Sequence, residues 1–237
     1  MILAILQARM TSTRLPGKVM LPLAGAPMIQ RQIERVQEAA NIDELIVATS
    51  DQASDDPLAA FLEGRSVAVY RGPLEDVQQR FVGAAAEFPA AAIVRLTADC
   101  PLADAGVIDD TIDLFLDAGA DYVSNTPPRR TFPKGLDIEV FTAAALRRAA
   151  VAPTPEAREH VTWDMCRQPD RYVQAFHSQD ADEGEVRWTV DRPDDYEFVS
   201  AVYDGLHRRN PQFGSDDIRA FVRARPKLAR YGGDRRV

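Results

Sequence analysis

The chain opens on an unbroken apolar run, Ile2 to Leu6, and short runs bounded by turn residues recur at Leu45 to Ala48, Val67 to Tyr70 and Ile93 to Leu96. Runs this short, without polar alternation, predict strands covered on both faces, as in a largely parallel sheet. Between them the period lengthens: Ile29, Ile33 and Val36 after Pro27, and later Val77, Phe81 and Ala85, keep the spacing of one helix face. Alternating strands and helices predict an α/β domain with right-handed crossovers. Further strands are predicted at Tyr122 to Ser124, Ile138 to Phe141 and Val186 to Val190. Helices are predicted near Glu156 to Arg167, Asp194 to His207 and Asp216 to Arg223. From about Asn125 to Arg187 the rhythm breaks on Pro127, Pro128, Pro133, Pro153 and Pro155. This stretch is therefore read as a small insertion, carrying substrate or dimer contacts, within a single domain spanning residues 1–237.

Composition narrows the class. A chain of 237 residues with 46% hydrophobic content supports one good-sized core. The apolar start gives way to Gln7, Ala8 and Arg9, too early for a signal peptide or a membrane span, which predicts a cytoplasmic protein with no membrane partner. Two cysteines, Cys100 and Cys166, make neither a disulfide framework nor a zinc site, and both are expected to be reduced. A formal charge of −8 argues against a nucleic-acid partner, so any polyanionic ligand needs a local basic pocket.

Such a pocket is encoded directly after the first strand. The segment Gln7-Ala8-Arg9-Met10-Thr11-Ser12-Thr13-Arg14-Leu15-Pro16-Gly17-Lys18 sets three cations and several hydroxyls in a strand-end loop. Ligands of open α/β sheets bind beyond the carboxyl ends of the strands, where Arg9, Arg14, Lys18 and backbone N–H groups could meet a triphosphate. The loop is not a Walker A motif, because Lys18 is followed by Val19 and the motif's first glycine is missing at the required distance. An ordinary basic surface loop is the competing reading. A second strand ends in Thr97-Ala98-Asp99-Cys100-Pro101, where Asp99 is placed either to hold Mg²⁺ or, as Asp104 also is, to cap the next helix. The segment Thr189-Val190-Asp191-Arg192-Pro193-Asp194-Asp195 repeats that order. Asp191 is a candidate second carboxylate for the metal, while Asp194 and Asp195 suit the start of a helix.

Together these segments resemble a family, the cytidylyltransferases that make CMP-activated sugar acids, such as 3-deoxy-manno-octulosonate cytidylyltransferase and CMP-sialic acid synthetase. Within it the likeness is strongest to the spore coat polysaccharide biosynthesis F branch. It rests on Ala8-Arg9 through Lys18, on Tyr70-Arg71-Gly72 with Asp76 and Arg80, and on Leu96 to Leu102. It continues through Lys134 to Phe141, Arg158-Glu159-His160-Val161-Thr162, and Thr189 to Asp195, ordered as in the family and spanning most of the chain. The resemblance implies a Rossmann-like nucleotide-diphospho-sugar transferase fold with a mostly parallel sheet flanked by helices. It also implies that Leu6, Ala8, Arg9, Arg14, Gly17, Lys18, Arg71, Gly72, Asp76, Thr97 and Ala98 form the nucleotide site. Gly135, Asp137, Glu139, Arg158 and His160 would face the acceptor, and Asp99 and Asp191 would hold Mg²⁺ as cofactor. A lone histidine such as His160 is more often structural, and Arg80 fits equally well as a solvated helix residue. The chain departs from the better-known members in having Ala98 where they carry glycine before the aspartate.

The implied partners are CTP and a sugar or sugar-acid acceptor, in a homodimer paired through the Asn125 to Arg187 stretch. The implied reaction is attack by an acceptor oxygen on the α-phosphorus with release of pyrophosphate, Lys18, Arg14 and Asp99 being the catalytic candidates. Two other classes stand beside it. A glycosyltransferase would ordinarily show an Asp-x-Asp metal motif, which Asp99 does not make, and a non-catalytic nucleotide-binding homologue would not need both Asp99 and Asp191.

Overall fold

The computed structural model describes residues 1–126, 128–151 and 153–237; Pro127, one of the prolines marking the break in rhythm, lies outside them. Seven strands form the central sheet: β1 (Ile2–Gln7), β2 (Glu44–Ser50), β3 (Ala68–Gly72), β4 (Ala92–Thr97), β5 (Tyr122–Ser124), β6 (Glu139–Thr142) and β7 (Gln174–Phe176). Their order across the sheet is β3-β2-β1-β4-β6-β5-β7. The run β3-β2-β1-β4 is parallel throughout, β6 is antiparallel to both its neighbours, and β5 and β7 pair parallel. The chain winds outward from β1 to β3, then returns to the other side of β1 for β4. The sheet therefore has a switch point between β1 and β4, where the last paired residues are Gln7 and Thr97.

The apolar runs are strands because both faces are covered. Along β1, Leu3 and Ile5 enter one buried cluster and Ala4 and Leu6 the other, and Ile93 against Val94 and Leu96 divides the same way in β4. Helices α1 (Met28–Val36), α2 (Asp56–Glu63), α4 (Ala105–Ala118), α8 (Pro193–Leu206) and α9 (Ser215–Arg223) contribute apolar residues to the face of Ala4 and Leu6. Helices α3 (Val77–Glu87), α5 (Ala143–Ala149) and α7 (Trp163–Arg167) cover the other, with the single turn α6 (Pro155–Glu159) before α7. A last short helix, α10 (Pro226–Ala229), leads into a two-residue hairpin, Arg230–Tyr231 with Asp234–Arg235.

Two expectations are corrected. The helix near Glu156 to Arg167 is two helices, broken where His160 leaves helical geometry at φ −108°, ψ 87°. Val186 to Val190 is extended and inward-facing at Val186, Trp188 and Val190, yet it joins no sheet beyond one bridge between Lys134 and Arg187. Its amides are scattered over four partners: Val186 donates to Glu183, Arg187 to Arg235, Trp188 and Thr189 to Lys134, and Val190 to Asp99. The Asn125 to Arg187 stretch itself supplies β6 and β7 to the central sheet.

Candidate active site

Three chain segments converge at the switch point. The loop after β1 is folded by its own backbone, with Ser12 and Gly17 both donating to the Met10 carbonyl. Gly17 takes φ +69°, the left-handed conformation glycine adopts without strain, and so turns the chain into a short 3₁₀ turn at Lys18–Met20. A fully buried carboxylate pins this loop from beneath: Asp55 accepts the Met10 amide at 2.6 Å and is held by the Ser50 hydroxyl and amide at the end of β2. The second segment, Thr97 to Ala103, leaves β4 and reaches α4. The third, Thr189 to Asp195, is tied to the second by the Val190 amide and Thr189 hydroxyl, which donate to the Asp99 carbonyl at 2.7 and 3.1 Å.

Lys18 is the meeting point. The residue is only 9% exposed, and its ammonium donates to the Val190 carbonyl at 2.7 Å, to Asp191 Oδ1 at 3.2 Å and to Asp99 Oδ2 at 3.4 Å. The other oxygen of Asp99 accepts the Thr97 hydroxyl at 2.6 Å, and the Cys100 thiol also faces it. The alternative of Asp99 as a helix cap is settled: Asp104 caps α4, through the Val107 amide at 3.2 Å. Asp191 is gripped on both oxygens, by Lys18 and Arg14 (2.8 Å) on Oδ1 and by Arg187 (2.7 Å) on Oδ2. Burial works against its charge, but the Arg187 hydrogen bond and the Lys18 and Arg14 charges outweigh it and hold its carboxyl below the usual range.

The donor set fits a hard divalent cation. Two carboxylates, Asp99 after β4 and Asp191 after the extended run that ends at Val190, approach a single point, marked by the Lys18 ammonium, and among the described residues no group of three or more His, Cys, Asp and Glu converges anywhere. A pair of carboxylates matches magnesium, which completes its shell with phosphate oxygens and water, and does not match an all-protein metal cage.

A cleft of about 670 Å³ opens over this cluster. Of the residues predicted from the sequence, Ala8, Arg9, Arg14, Lys18, Thr97, Ala98, Asp99, Arg158, His160 and Asp191 line it. Leu6 is a core residue beneath it, and Gly17 shapes the loop without lining the cleft. Arg71 does not line it either; its guanidinium clamps the Ser50 and Gln52 carbonyls (2.9 Å each) and Asp56 (2.7 Å) at the end of β2. Gly72 permits close packing, since a Cβ there would lie 2.9 Å from the Tyr70 ring and 3.1 Å from Arg80. Asp76 caps α3 through the Gln79 amide at 2.8 Å and pairs with Arg158 at 3.2 Å. Gly135, at φ +112°, brings its backbone against Thr189, where a Cβ would stand 2.6 Å from the amide nitrogen. Asp137 is held by both terminal nitrogens of Arg130 and by the Gly135 amide, and Glu139 by Arg95, the Tyr122 hydroxyl (2.7 Å) and the Thr162 hydroxyl (2.5 Å). Burial opposes the Glu139 charge, but Arg95 and the two hydroxyls lower its carboxyl below the ordinary value.

At Arg80 the structure decides between the two roles the sequence left open, and it gives Arg95 and Asp195 roles the sequence did not assign. Arg80 is not solvated but 2% exposed, its guanidinium holding the Pro73 and Leu74 carbonyls at the cleft wall. Arg95 lines the cleft from the middle of β4; a lone arginine inside an otherwise apolar strand was the available signal. Behind Asp191, the fully buried Asp195 accepts from Arg187, Arg192 and the buried Arg236, and from the Asp191 and Arg192 amides. Burial disfavours its charge, but these donors drive its carboxyl far below the usual range.

Comparison with known proteins agrees with this geometry. A family described as cytidylyltransferase matches residues 3–144. The chain is 33% identical over 238 residues, 96% of each chain, to spore coat polysaccharide biosynthesis protein SpsF of Bacillus subtilis (strain 168). A solved cytidylyltransferase from Leptospira borgpetersenii serovar Hardjo-bovis superposes with a TM-score of 0.89 at 30% identity, covering 96% of this chain and 95% of that one. The structure of CMP:2-keto-3-deoxy-manno-octonic acid synthetase complexed with CTP covers 86% of this chain and 98% of its own, with a TM-score of 0.65 at 20% identity, a likeness of fold. The fold is thus that of the Rossmann-like nucleotidyltransferases. Within that class, the chain belongs to the cytidylyltransferase family.

Proposed function

We propose that the protein transfers the cytidylyl group of CTP to a sugar or sugar-acid acceptor, releasing pyrophosphate, in the cytoplasmic assembly of a surface polysaccharide. The observation that carries this reading is Lys18, buried between Asp99 and Asp191 at the switch point and overhung by the Arg9–Arg14 loop. The loop amides, Arg9 and Arg14 receive the triphosphate, and Arg14, 62% exposed at its side chain, exchanges Asp191 for a phosphate oxygen. Lys18 stays between the carboxylates and the α-phosphate and stabilises charge as it spreads over the phosphate oxygens. Asp99 and Asp191 would hold Mg²⁺, which supplies neutralisation of the triphosphate and of the leaving pyrophosphate. Arg158 and His160, across the cleft, position the acceptor, whose oxygen attacks the α-phosphorus in line. Asp137 and Glu139 act from behind, fixing Arg130 and Arg95. A homodimer paired through the Asn125 to Arg187 stretch completes the reading.

The test is pyrophosphate release with CTP, UTP, GTP or ATP and Mg²⁺ against a panel of sugar acids and sugar phosphates, with Asp99→Ala as the blank. Release that requires both CTP and an acceptor supports the proposal. Tight CTP binding without release under any acceptor would replace it with a glycosyltransferase or a non-catalytic nucleotide-binding role.

A further inference from the structure

A second cavity, about 620 Å³, shares no lining residue with the catalytic cleft. It is enclosed by α1, the start of α4, the end of α8 and the Pro211–Gly214 loop. Its distinctive group is Arg35, 8% exposed. The Arg35 Nε donates to the Ala103 carbonyl at 2.6 Å, and the guanidinium lies over the Phe213 ring, 4.3 Å from its centroid. Among the described residues its two terminal nitrogens make no ion pair, and their polar neighbour is the Tyr203 hydroxyl, whose own proton goes to the Pro101 carbonyl.

The neighbouring charged groups have hydrogen-bond partners of their own and pair with Arg35 only at a distance. Arg31 is engaged by Glu34 and by the Leu23 and Ala24 carbonyls, Glu38 accepts from Gln212, and Asp104 holds the Val107 and Ser215 amides. Arg35 is therefore a desolvated cation facing a cavity without a counter-charge in contact. Burial lowers its proton affinity, and the Tyr203 phenol and the charges of Asp104, Asp217 and Glu38, no carboxylate among them hydrogen-bonded to it, offset that only in part. A planar guanidinium whose terminal N–H groups make no ion pair matches a carboxylate or a phosphate in bidentate fashion. The first two amides of α4, Ala105 and Gly106, also lack acceptors among the described residues and line the same cavity, at the positive end of a 14-residue helix. The remaining wall is aromatic: Tyr203 stands 5.2 Å from Phe213 and 5.6 Å from His207, ring to ring.

We propose that this cavity is a second ligand site, for a small organic anion, a carboxylate or phosphate monoester carrying an apolar body. Its occupant would touch the groups that fix the catalytic loop, because Arg35 holds the Ala103 carbonyl and the Tyr203 hydroxyl holds that of Pro101 at 2.7 Å, within five residues of Asp99.

The chain has three histidines, and they report separately: His207 lines this cavity, His160 the catalytic cleft, and His177 packs on Phe132. Imidazole proton NMR of the native protein is followed while benzoate, phenyl phosphate or neutral benzyl alcohol is added. Benzoate, phenyl phosphate or both should shift His207 saturably without His160 following the same curve, and benzyl alcohol should not; which anion acts distinguishes the carboxylate from the phosphate source. Arg35→Lys, which keeps the charge but loses the fork, should weaken binding about tenfold, the scale of one charge-assisted hydrogen bond. No saturable His207 shift up to about 10 mM probe, equal response to benzyl alcohol, or unchanged affinity in Arg35→Lys would each overturn the proposal. The native titration decides the matter should the variant fail to fold.

Discussion

The loop after β1 and the Asn125 to Arg187 stretch handle charge in opposite ways. After β1 two of the three cations are left available: Arg9 is exposed and makes no ion pair among the described residues, and Arg14 is tethered by Asp191 alone, while Lys18 is held below them. In the Asn125 to Arg187 stretch the charges are closed on partners, Arg130 on Asp137, Glu139 on Arg95, and Arg158 on Asp76. Free cations suit a ligand that brings several negative charges of its own. Pre-paired ones suit an uncharged or singly charged ligand, recognised by shape and by the spare hydrogen-bonding capacity of each pair.

The contrast breaks hardest at Glu139. Glu139→Ala leaves the Arg95 guanidinium in a largely buried setting without its carboxylate, and should cost about 4 kcal/mol in denaturant unfolding. Asp99→Ala should do the reverse, lowering pyrophosphate release at least about a hundredfold while leaving the melting curve in place. Between these lies Gly135→Ala, strained at φ +112° and pressed against the Thr189 amide, for which a loss of about 2 kcal/mol in stability is expected. Acid should expose the same divide. The carboxyls of Asp191, Glu139 and Asp195 are depressed in the fold, so the unfolded chain binds more protons, and their stabilisation is complete above the unfolded value of about 4 and lost as pH falls below it. Urea midpoints that stay level from pH 4 down to pH 2.5 would contradict this assignment. The smallest effect belongs to Arg158→Ala: its pair with Asp76 is half exposed and should contribute less than about 1 kcal/mol, so any tenfold rise in the acceptor KM would mark contact with substrate.

The fold was legible where burial on both faces imposes continuous apolar runs, as in β1, β2 and β4. It was misread where burial and pairing part company. Val186, Trp188 and Val190 alternate inward as a strand would, but the backbone of Arg187 to Val190 is shared among Arg235, Lys134 and Asp99, a long-range arrangement that no local pattern encodes. Strand β7, three residues at the sheet edge with the sequence Gln-Ala-Phe, carries almost no periodic signal. In the site, strand-end position and residue type pointed to Lys18, Asp99 and Asp191, yet their convergence depends on contacts 81 and 173 residues apart in sequence. Asp195 looked like a helix-start acid, which it is by position, but its link to Arg236 lies 41 residues on.

The bond from Lys18 to the Val190 carbonyl joins positions 172 residues apart, and it bears on how the chain comes together in time. A contact of that separation pays its loop-closure entropy before any local structure rewards it, and parallel pairing around β1 adds to the delay. Helices and the β1–β2 pair are free to form early; the carboxylate cluster is complete only when the segment around Val190 docks onto β4. Recovery of catalytic competence after dilution from denaturant should therefore trail the recovery of helical circular dichroism.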